Sequence, residues 1–205
     1  VWIATASEYI CYIRSGDSEM QYLKPLTIGY TFIPSILPYG HRLLVGAFMS
    51  PLKEVDTETF AYRDADVDDE AWKGSIRRSV FIPTDMFVDE EGDIWIGTVA
   101  NGLLRYDPET GDISPVPGAP CTDISAIEED LQGNLWVSTL YGLGKYDRSV
   151  DKFINWFEAD GIGGNEFYDR ASCRMPDGTL VFGGTHGLTF FNPMDVTVNR
   201  SFNLC

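Results

Sequence analysis

The sequence predicts an all-β fold made of β-propeller blades, because one motif recurs along it at a nearly constant spacing. Each copy has an acidic residue, a glycine turn, an apolar segment around a tryptophan, a threonine, and then Gly-Leu and Tyr-Asp. Two full copies occupy residues 89–107 and 130–147, and their Trp95 and Trp136 are 41 residues apart. A repeat of about forty residues with strand-like content is typical of propeller blades.

Three less complete copies extend the repeat over most of the chain. Residues 178–193 form a looser copy, and residues 41–47 form another with Leu44 in the place of the tryptophan. Residues 1–5 contain Trp2 but lack the strand that should precede it. We therefore expect an incomplete ring of about four to five blades from a longer protein. Unpaired strand edges are unfavourable, so further segments of that protein, or a partner, should cover them.

Each blade is expected to be a four-stranded antiparallel meander, and residues 1–193 together are expected to form the partial propeller. The first blade should lack its inner strand and the last its outer strand. Residues 194–205 should form an exit strand. The predicted blades are approximately residues 1–24 (partial), 25–72, 73–117, 118–160 and 161–193 (partial).

The fourth blade shows how the strands are predicted. Alternating residues place an inner strand at 124–130, and the turn that follows contains Gly133, which supplies the positive φ that hairpin turns need. An apolar second strand follows at 135–139 and should be buried on both faces. The third strand is expected at 143–147 and the outer strand at 152–157.

The residues that recur at matching positions are expected to be structural. The tryptophans should pack between sheets, the aspartates should accept hydrogen bonds from turn amides, and the threonines should bond between blades. These residues are Trp2, Trp95 and Trp136; Asp89 and Asp130; and Thr5, Thr98 and Thr139.

The connections between strands are the predicted functional part. In such a meander the connection between the second and third strands of a blade, which we call its second connection, shares a face with the crossover to the next blade. The crossover at 159–170 is the longest, and its glycines, expected to be flexible, precede polar and aromatic residues suited to a polar, ring-shaped ligand. The predicted ligand-binding residues on this face are Asn101, Tyr141, Asn165, Glu166, Tyr168, Arg170 and His186.

Composition excludes several classes of function. The chain has 15 basic and 31 acidic residues and a net charge of −16, which argues against binding to nucleic acid or to an anionic membrane surface. The four cysteines show no zinc-binding spacing, and only two histidines are present, so neither a metal nor another cofactor is expected. Cys11 and Cys173 are expected to be small buried strand residues.

The repeat resembles that of the two-component regulator propeller family, and Ser138 stands where that repeat usually has glycine. Residues 165–193 look like the last blade of the periplasmic sensor domain in hybrid two-component systems of Bacteroidetes. The matching residues of the fourth blade are Ile124, Ile127, Asp130, Gly133, Leu135, Trp136, Thr139, Gly142, Leu143, Tyr146 and Asp147.

This resemblance implies a role for the chain. Such ectodomains are periplasmic, bind oligosaccharides from polysaccharide breakdown, and relay the signal across the membrane to a histidine kinase or transcription regulator. It further implies that residues 194–205 lead to an immunoglobulin-like domain, that the parent receptor is a homodimer, and that only the parent chain meets the membrane. The chain itself is then not an enzyme.

Two alternatives remain open. Glu166 and Asp169 are two carboxylates in one loop, and a glycan lyase or hydrolase would use such a pair, although catalytic carboxylates usually come from different blades. The second alternative is a structural or dimerisation propeller, with the ligand bound elsewhere in the parent protein. Turnover of a glycan would favour the first alternative, and absence of any binding would favour the second.

Overall fold

The computed structural model is built from antiparallel sheets. The predicted all-β architecture of propeller blades is confirmed, because five successive sheets are present in the described part of the chain. Three of them have four strands, and the first and last have three. The structure describes residues 1–4, 10–23, 33, 35–48, 50–65 and 82–196.

Within every sheet, strands that follow one another in sequence pair side by side. The first two sheets contain β1 (Trp2–Ala4), β2 (Ile10–Tyr12) and β3 (Gln21–Leu23), and then β4 (Ser35–Tyr39), β5 (Arg42–Gly46), β6 (Lys53–Asp56) and β7 (Tyr62–Asp64). The third and fourth contain β8 (Pro83–Val88), β9 (Ile94–Thr98), β10 (Leu103–Tyr106) and β11 (Ile113–Val116), and then β12 (Ile124–Glu129), β13 (Leu135–Thr139), β14 (Gly142–Asp147) and β15 (Lys152–Trp156). The fifth contains β16 (Phe167–Arg174), β17 (Leu180–Gly184) and β18 (Gly187–Phe191).

The strands of the fourth sheet follow the sequence prediction to within about a residue or two at each end. Every residue of β9 and β13, the second strands of two successive sheets, is buried, as expected for strands packed on both faces. Among the described residues, short 3₁₀ turns lie at Glu158–Asp160 and Pro193–Asp195. Residues 197–205, which include most of the predicted exit strand, lie outside the described residues.

The repeated tryptophans pack between neighbouring sheets, as predicted. The ring of Trp95 lies 5.6 Å from that of Tyr146, which belongs to the next sheet. The ring of Trp136 likewise lies 4.8 Å from Phe191 of the sheet after it. Trp95 and Trp136 are fully buried, so their aromatic contacts join neighbouring blades, whereas Trp2 is only partly buried.

The repeated aspartates hold both a turn and a tryptophan. Asp89 accepts hydrogen bonds from the amide of Asp93, at 2.8 Å, and from the indole nitrogen of Trp95, at 2.6 Å. Asp130 accepts from its own turn amides and, at 2.9 Å, from the indole of Trp136. The predicted turn role is confirmed, and the indole bond ties the turn to the core.

The prediction for the threonines is wrong. Thr98 and Thr139 donate to backbone carbonyls within their own hairpins, at 2.7 and 2.9 Å, and so do not join blades. Inner-strand hydroxyls make the bonds between blades instead: Thr84 donates to a carbonyl of β12 and Ser125 to a carbonyl of β16. Thr5 lies outside the described residues.

The cysteine prediction is half right. Cys11 is buried in β2, whereas Cys173 is exposed on β16. Both are free thiols, and so is Cys121.

Candidate functional site

The second connections and the crossovers meet on one face, as the meander geometry predicts. The amide of Gly142 donates to the carbonyl of Asn165 at 2.8 Å, and the amide of Thr185 donates to the carbonyl of Glu166 at 3.0 Å. The crossover between the fourth and fifth sheets is therefore fastened to the second connections of both sheets. We call this side of the molecule the crossover face.

Two of the three glycines of this crossover, Gly163 and Gly164, serve close packing rather than the flexibility expected from the sequence. A Cβ on Gly164 would lie 2.8 Å from the ring Nδ1 of His186, so only glycine allows the loop to lie on that ring. The amide of Gly163 donates to the Thr189 hydroxyl at 3.1 Å. The loop is thus held against the fifth sheet.

Four of the predicted ligand-binding residues surround this crossover. The side-chain oxygen of Asn165 accepts from the amide of Glu158 at 2.7 Å, so this side chain holds the loop together. Glu166 and His186 are exposed, and the His186 ring contacts the neighbouring threonine hydroxyl at 3.0 Å. Tyr141 is 58% exposed and packs against the ring of Phe157.

Two further predicted residues, Tyr168 and Arg170, lie in a wide bulge of β16. In the register with β17, Phe167 pairs with Gly184 and the next pair is Ser172 with Phe182. Four residues of β16 therefore face a single residue of β17. The matching inner strands β8 and β12 each have only a one-residue irregularity. β-Bulges are enriched at sheet edges and next to active sites.

Arg170 is the strained residue of this bulge. Its φ is +55°, in the left-handed region that costs a non-glycine residue about 1–3 kcal/mol. Its Nε donates to the carbonyl of Thr84 at 2.8 Å, which links β16 to the inner strand two sheets earlier. Tyr168 beside it is 59% exposed. The bulge thus presents a fixed arginine and an open aromatic ring.

Carboxylates from three inner segments of the chain surround the bulge. Burial raises the pKa of Asp85, although an amide bond from Ile127 at 2.9 Å and the charge of Arg170 oppose this. The pKa of Asp169 is also raised, by desolvation and by the charge of Asp123, against the effect of Arg170. We call these residues the bulge cluster: Asp85, Asp123, Tyr168, Asp169 and Arg170.

Asn101, the remaining predicted residue, lies in the second connection of the third sheet. The neighbouring Ala100 has a φ of +66° and donates its amide to the Asp123 side chain at 3.0 Å. Asn101 therefore lies close in sequence to a contact of the bulge cluster. The structure places six of the seven predicted residues in two groups, around the crossover and around the bulge, and places Asn101 in a second connection on the same face.

Sequence reasoning missed Asp85 and Asp123. A signal for the bulge itself was present: Gly178 follows Phe167 by eleven residues, whereas Gly133 follows Ile124 by only nine. Two extra residues in the last copy of the repeat therefore marked the inner strand that departs from the pattern.

The opposite face carries an acidic cleft of about 610 Å³. Turn residues of the third sheet line it, among them Glu91, Asp93, Arg105 and Asp107. Asp107 accepts a hydrogen bond from a turn amide and Asp93 pairs with Arg105 at 2.8 Å, so these side chains stabilise their own loops. This cleft lies away from all seven predicted residues.

Two general findings concern only the residues that the structure describes. No group of three or more histidine, cysteine, aspartate or glutamate side chains is arranged to hold a metal ion there. In the same segments, no helix has the length and apolar character needed to cross a membrane.

Comparisons with known proteins agree with the resemblance found in the repeat. No protein-family model matches the chain. Histidine kinase P4 of Formosa agariphila is 30% identical over 105 residues, which are 50% of this chain and 8% of that protein. The chain therefore spans a small part of this relative.

Solved structures show the shared fold. The extracellular domain of the BT4673 one-component system from B. thetaiotaomicron superposes with a TM-score of 0.73 at 17% identity, over 93% of this chain and 26% of that one. The extracellular domain of the BT3049 hybrid two-component system from the same organism gives 0.51 at 20% identity, over 94% and 32% of the two chains. The predicted likeness to sensor propellers of two-component systems is confirmed.

Proposed function

We propose that this chain is part of the ligand-sensing ectodomain of a two-component receptor and binds an oligosaccharide on its crossover face. Two similarities support a sensory role: that to extracellular domains of such systems and that to a histidine kinase. The ectodomain lies in the periplasm, and binding is relayed across the membrane to the kinase or transcription regulator of the parent protein, which acts as a homodimer.

The bulge of β16 is the observation that carries this proposal. It interrupts the inner strand of one sheet, exposes Tyr168, and holds Arg170 in a strained conformation against Thr84. Strain of this kind persists where the surrounding structure imposes it, and it clusters at binding sites. An exposed tyrosine ring can stack on a sugar ring, while carboxylates and a guanidinium bind hydroxyl groups.

The charge of the bulge cluster favours an uncharged oligosaccharide. The bulge cluster has three carboxylates and one guanidinium: Asp85 and Asp169 interact electrostatically with Arg170, and Asp123 interacts with Asp169. The whole chain carries a net charge of −16, which also repels anions. A sulfated or uronic glycan would bring further negative charge to this face and would bind more weakly than a neutral one.

Binding without turnover is the expected chemistry. Asp169 interacts electrostatically with Arg170 and Asp123. Glu166 contributes its backbone carbonyl to the loop contact with Thr185 and leaves its side chain exposed. The second candidate function, that of a glycosidase or lyase, depends only on these two carboxylates. If it is right, product should accumulate with wild type and should not form with Asp169→Asn.

A thermal-shift screen of the ectodomain that contains this chain, against neutral and anionic oligosaccharides, tests the proposal. A ligand at a hundredfold its dissociation constant adds about 2.7 kcal/mol of stability. At roughly 2–4 °C per kcal/mol, this shift is readily measured. Chromatography of the same samples detects any product.

The Tyr168→Ala variant should lose the response to the active glycan while keeping its own melting temperature. Tyr62→Ala is the matched control, because Tyr62 is a similarly exposed tyrosine on the outer strand of another sheet. An equal response from wild type, Tyr168→Ala and Tyr62→Ala would contradict binding at the bulge. A failure of every glycan would favour a structural role for these blades.

A further inference from the structure

We propose that Glu129 is a proton-controlled latch between the third, fourth and fifth sheets, which tightens when its carboxyl group carries a proton and loosens when that group is ionised. Glu129 is the last residue of inner strand β12, at the end away from the crossover face, and its side chain is 2% exposed. We call Glu129 and its contacts to the two neighbouring sheets the Glu129 latch. No ligand is needed for it to act.

Three sheets meet at Glu129. Its Oε2 accepts a hydrogen bond at 2.9 Å from the amide of Glu90, which lies in the first turn of the third sheet. Its main-chain carbonyl accepts a hydrogen bond from Arg174 of the fifth sheet, also at 2.9 Å. Arg174 in turn lies 3.5 Å from the Glu90 carboxylate. A change in the charge of Glu129 therefore acts on a contact that the three sheets share.

The second carboxyl oxygen of Glu129 is poorly matched to a negative charge. Oε1 is buried, and among the described residues none donates a hydrogen bond to it. Arg148 lies 3.5 Å away, but its guanidinium is closer to Asp89, at 2.7 Å, and to Glu91, at 3.0 Å. Asp93 lies 3.7 Å from the same guanidinium. One positive charge is thus shared among four carboxyl groups.

A neutral carboxylic acid fits these surroundings better than a carboxylate does. An ionised carboxylate has two acceptor oxygens and, when buried, needs donors for both, whereas the protonated group carries no charge and needs fewer. Burial raises the pKa of Glu129, and the charges of Asp89 and Glu90 raise it further. The amide bond from Glu90 and the charge of Arg148 oppose this without reversing it.

Glu129 also departs from the repeat. At the matching position of the inner strand the third sheet has Val88 and the fifth sheet has Arg174. Asp130, the next residue along the chain, keeps the repeat and binds its own turn and the indole of Trp136. The valine shows that an inner strand needs no carboxyl group at this position to form a blade. The buried acid is therefore specific to the fourth sheet.

Rising pH should loosen the Glu129 latch. Below the ordinary pKa of glutamate, about 4.3, Glu129 is protonated whether the latch is closed or open, and its ionisation costs nothing. In the open state its carboxyl group meets water and regains that ordinary pKa, whereas in the closed state the pKa is raised. Each pH unit between the two values should therefore shift the equilibrium towards the open state by up to tenfold.

Carbon-13 NMR of the full 205-residue chain, with labelled glutamate side chains, measures the protonation of Glu129 directly. The carboxyl carbon of Glu129 should titrate with a midpoint above the ordinary value of about 4.3. A midpoint at or below that value would overturn the proposal. This measurement is made on the wild type, so it does not depend on the folding of any variant.

Hydrogen exchange at the Glu90 amide measures the opening of the latch. After correction for the intrinsic effect of pH on exchange, the protection of this amide should fall as pH rises through the midpoint of Glu129, by up to tenfold per pH unit. Glu129→Gln keeps an acceptor oxygen and cannot ionise, so it should remove this dependence. Glu91→Gln is the matched control, because Glu91 contacts the same guanidinium but is 74% exposed, and it should keep the dependence.

Two outcomes of the exchange experiment would contradict the Glu129 latch. The first is the same dependence on pH in wild type and in Glu129→Gln, which would assign the response to another group. The second is loss of the dependence in Glu91→Gln, which would place the controlling charge in the exposed turn.

Discussion

Asp85 and Asp89 lie four residues apart at β8, yet their surroundings are opposite. Asp89 has a counterpart in the next repeat, Asp130. The side chain of Asp89 is fully enclosed by Trp95, a turn amide and Arg148, which pairs with Asp89 at 2.7 Å. Burial alone would raise the pKa of Asp89, but these bonds outweigh it and lower the pKa. Asp85 has no such counterpart, because Ala126 takes its place, and burial raises its pKa.

The difference separates two kinds of polar group in one scaffold. Carboxylates that keep the repeat are saturated by fixed partners: those of Asp89 are its own turn and tryptophan and Arg148 of the next sheet, so its role is structural. Asp85, which breaks the repeat, faces the charges of Arg170 and Asp169 in the bulge cluster. We infer that departures from the repeat mark the functional surface and that repeated residues supply stability.

The largest effect is expected at the repeated carboxylate. Asp89→Ala leaves the Trp95 indole unpaired and removes a buried partner of Arg148, which should lower the free energy of unfolding by about 3 kcal/mol. Urea denaturation measures this loss. Asp177→Ala is the control and should change much less, because this aspartate bonds Thr179 of its own exposed turn in the last sheet. Equal losses in the two variants would contradict the comparison.

A smaller loss of stability is expected when a hydrogen bond to a second buried carboxylate, that of Glu54, is removed. Glu54 is buried and accepts hydrogen bonds from the Tyr39 hydroxyl and from Arg63, both in its own sheet. It also accepts one from the Tyr106 hydroxyl of the third sheet, and this bond joins the second and third sheets. Burial and the bond to Glu54 raise the pKa of Tyr106 to about 12, so its hydroxyl remains a donor at neutral pH. Tyr106→Phe should cost about 2 kcal/mol, because the lost bond is to a charged group.

Tyr146→Phe is the control for that measurement. Tyr146 is the same residue of the next repeat, but its hydroxyl donates to Asp151 in an exposed turn. Its removal should therefore cost less than half as much in the same urea titration. A larger loss of stability from Tyr146→Phe than from Tyr106→Phe would contradict the role of Glu54 in joining the second and third sheets.

Asp85 and Asp89 should make opposite contributions to the pH dependence of stability. The raised pKa of Asp85 means that its ionised form destabilises the folded state, a penalty that is absent below the ordinary pKa of about 4 and grows as pH rises through the raised value. Asp85→Asn should therefore gain stability relative to wild type as pH rises towards 7. The lowered pKa of Asp89 gives stability that is present above its ordinary pKa and lost as pH falls through the lowered value, so the deficit of Asp89→Asn should shrink in acid.

Unfolding titrations at several pH values between about 3 and 7 measure both differences against wild type. Slopes of the same sign for the two variants would show that the surroundings of Asp85 and Asp89 are not opposed.

The smallest effect on stability is expected within the bulge. Arg170→Gly removes the hydrogen bond to Thr84 but also relieves the positive φ, so the two changes offset to within about 1 kcal/mol. The response to glycan should nevertheless disappear. Asp151→Gly, which relieves a φ of +52° in an outer turn, is the control and should keep the response. A large loss of stability in Arg170→Gly would assign the bulge a structural role.

The blades were predictable because their signal is local and repeated. Trp95 and Trp136 recur at one spacing, and Asp89 and Asp130 precede equivalent turns, so period and turn chemistry sufficed. The bond between Arg170 and Thr84 was not predictable, because it joins residues 86 positions apart through the ring geometry.

Two further errors have the same origin. The packing of Gly164 on the His186 ring depends on how the crossover lies against the next sheet, which a glycine in a sequence does not reveal. Thr98 bonds to the Gly102 carbonyl of its own hairpin, a partner that the repeat pattern alone does not reveal. Local periodicity specified the scaffold, whereas the site depends on contacts between sheets.

A calorimetric titration of the ectodomain with the glycan that gives the largest thermal shift, for wild type and Tyr168→Ala, tests the central claim most directly. Tyr168→Ala should weaken binding about tenfold or more through lost aromatic stacking, with an unchanged melting temperature and no product formed. Unchanged affinity in that variant would show that the bulge of β16 does not bind the ligand.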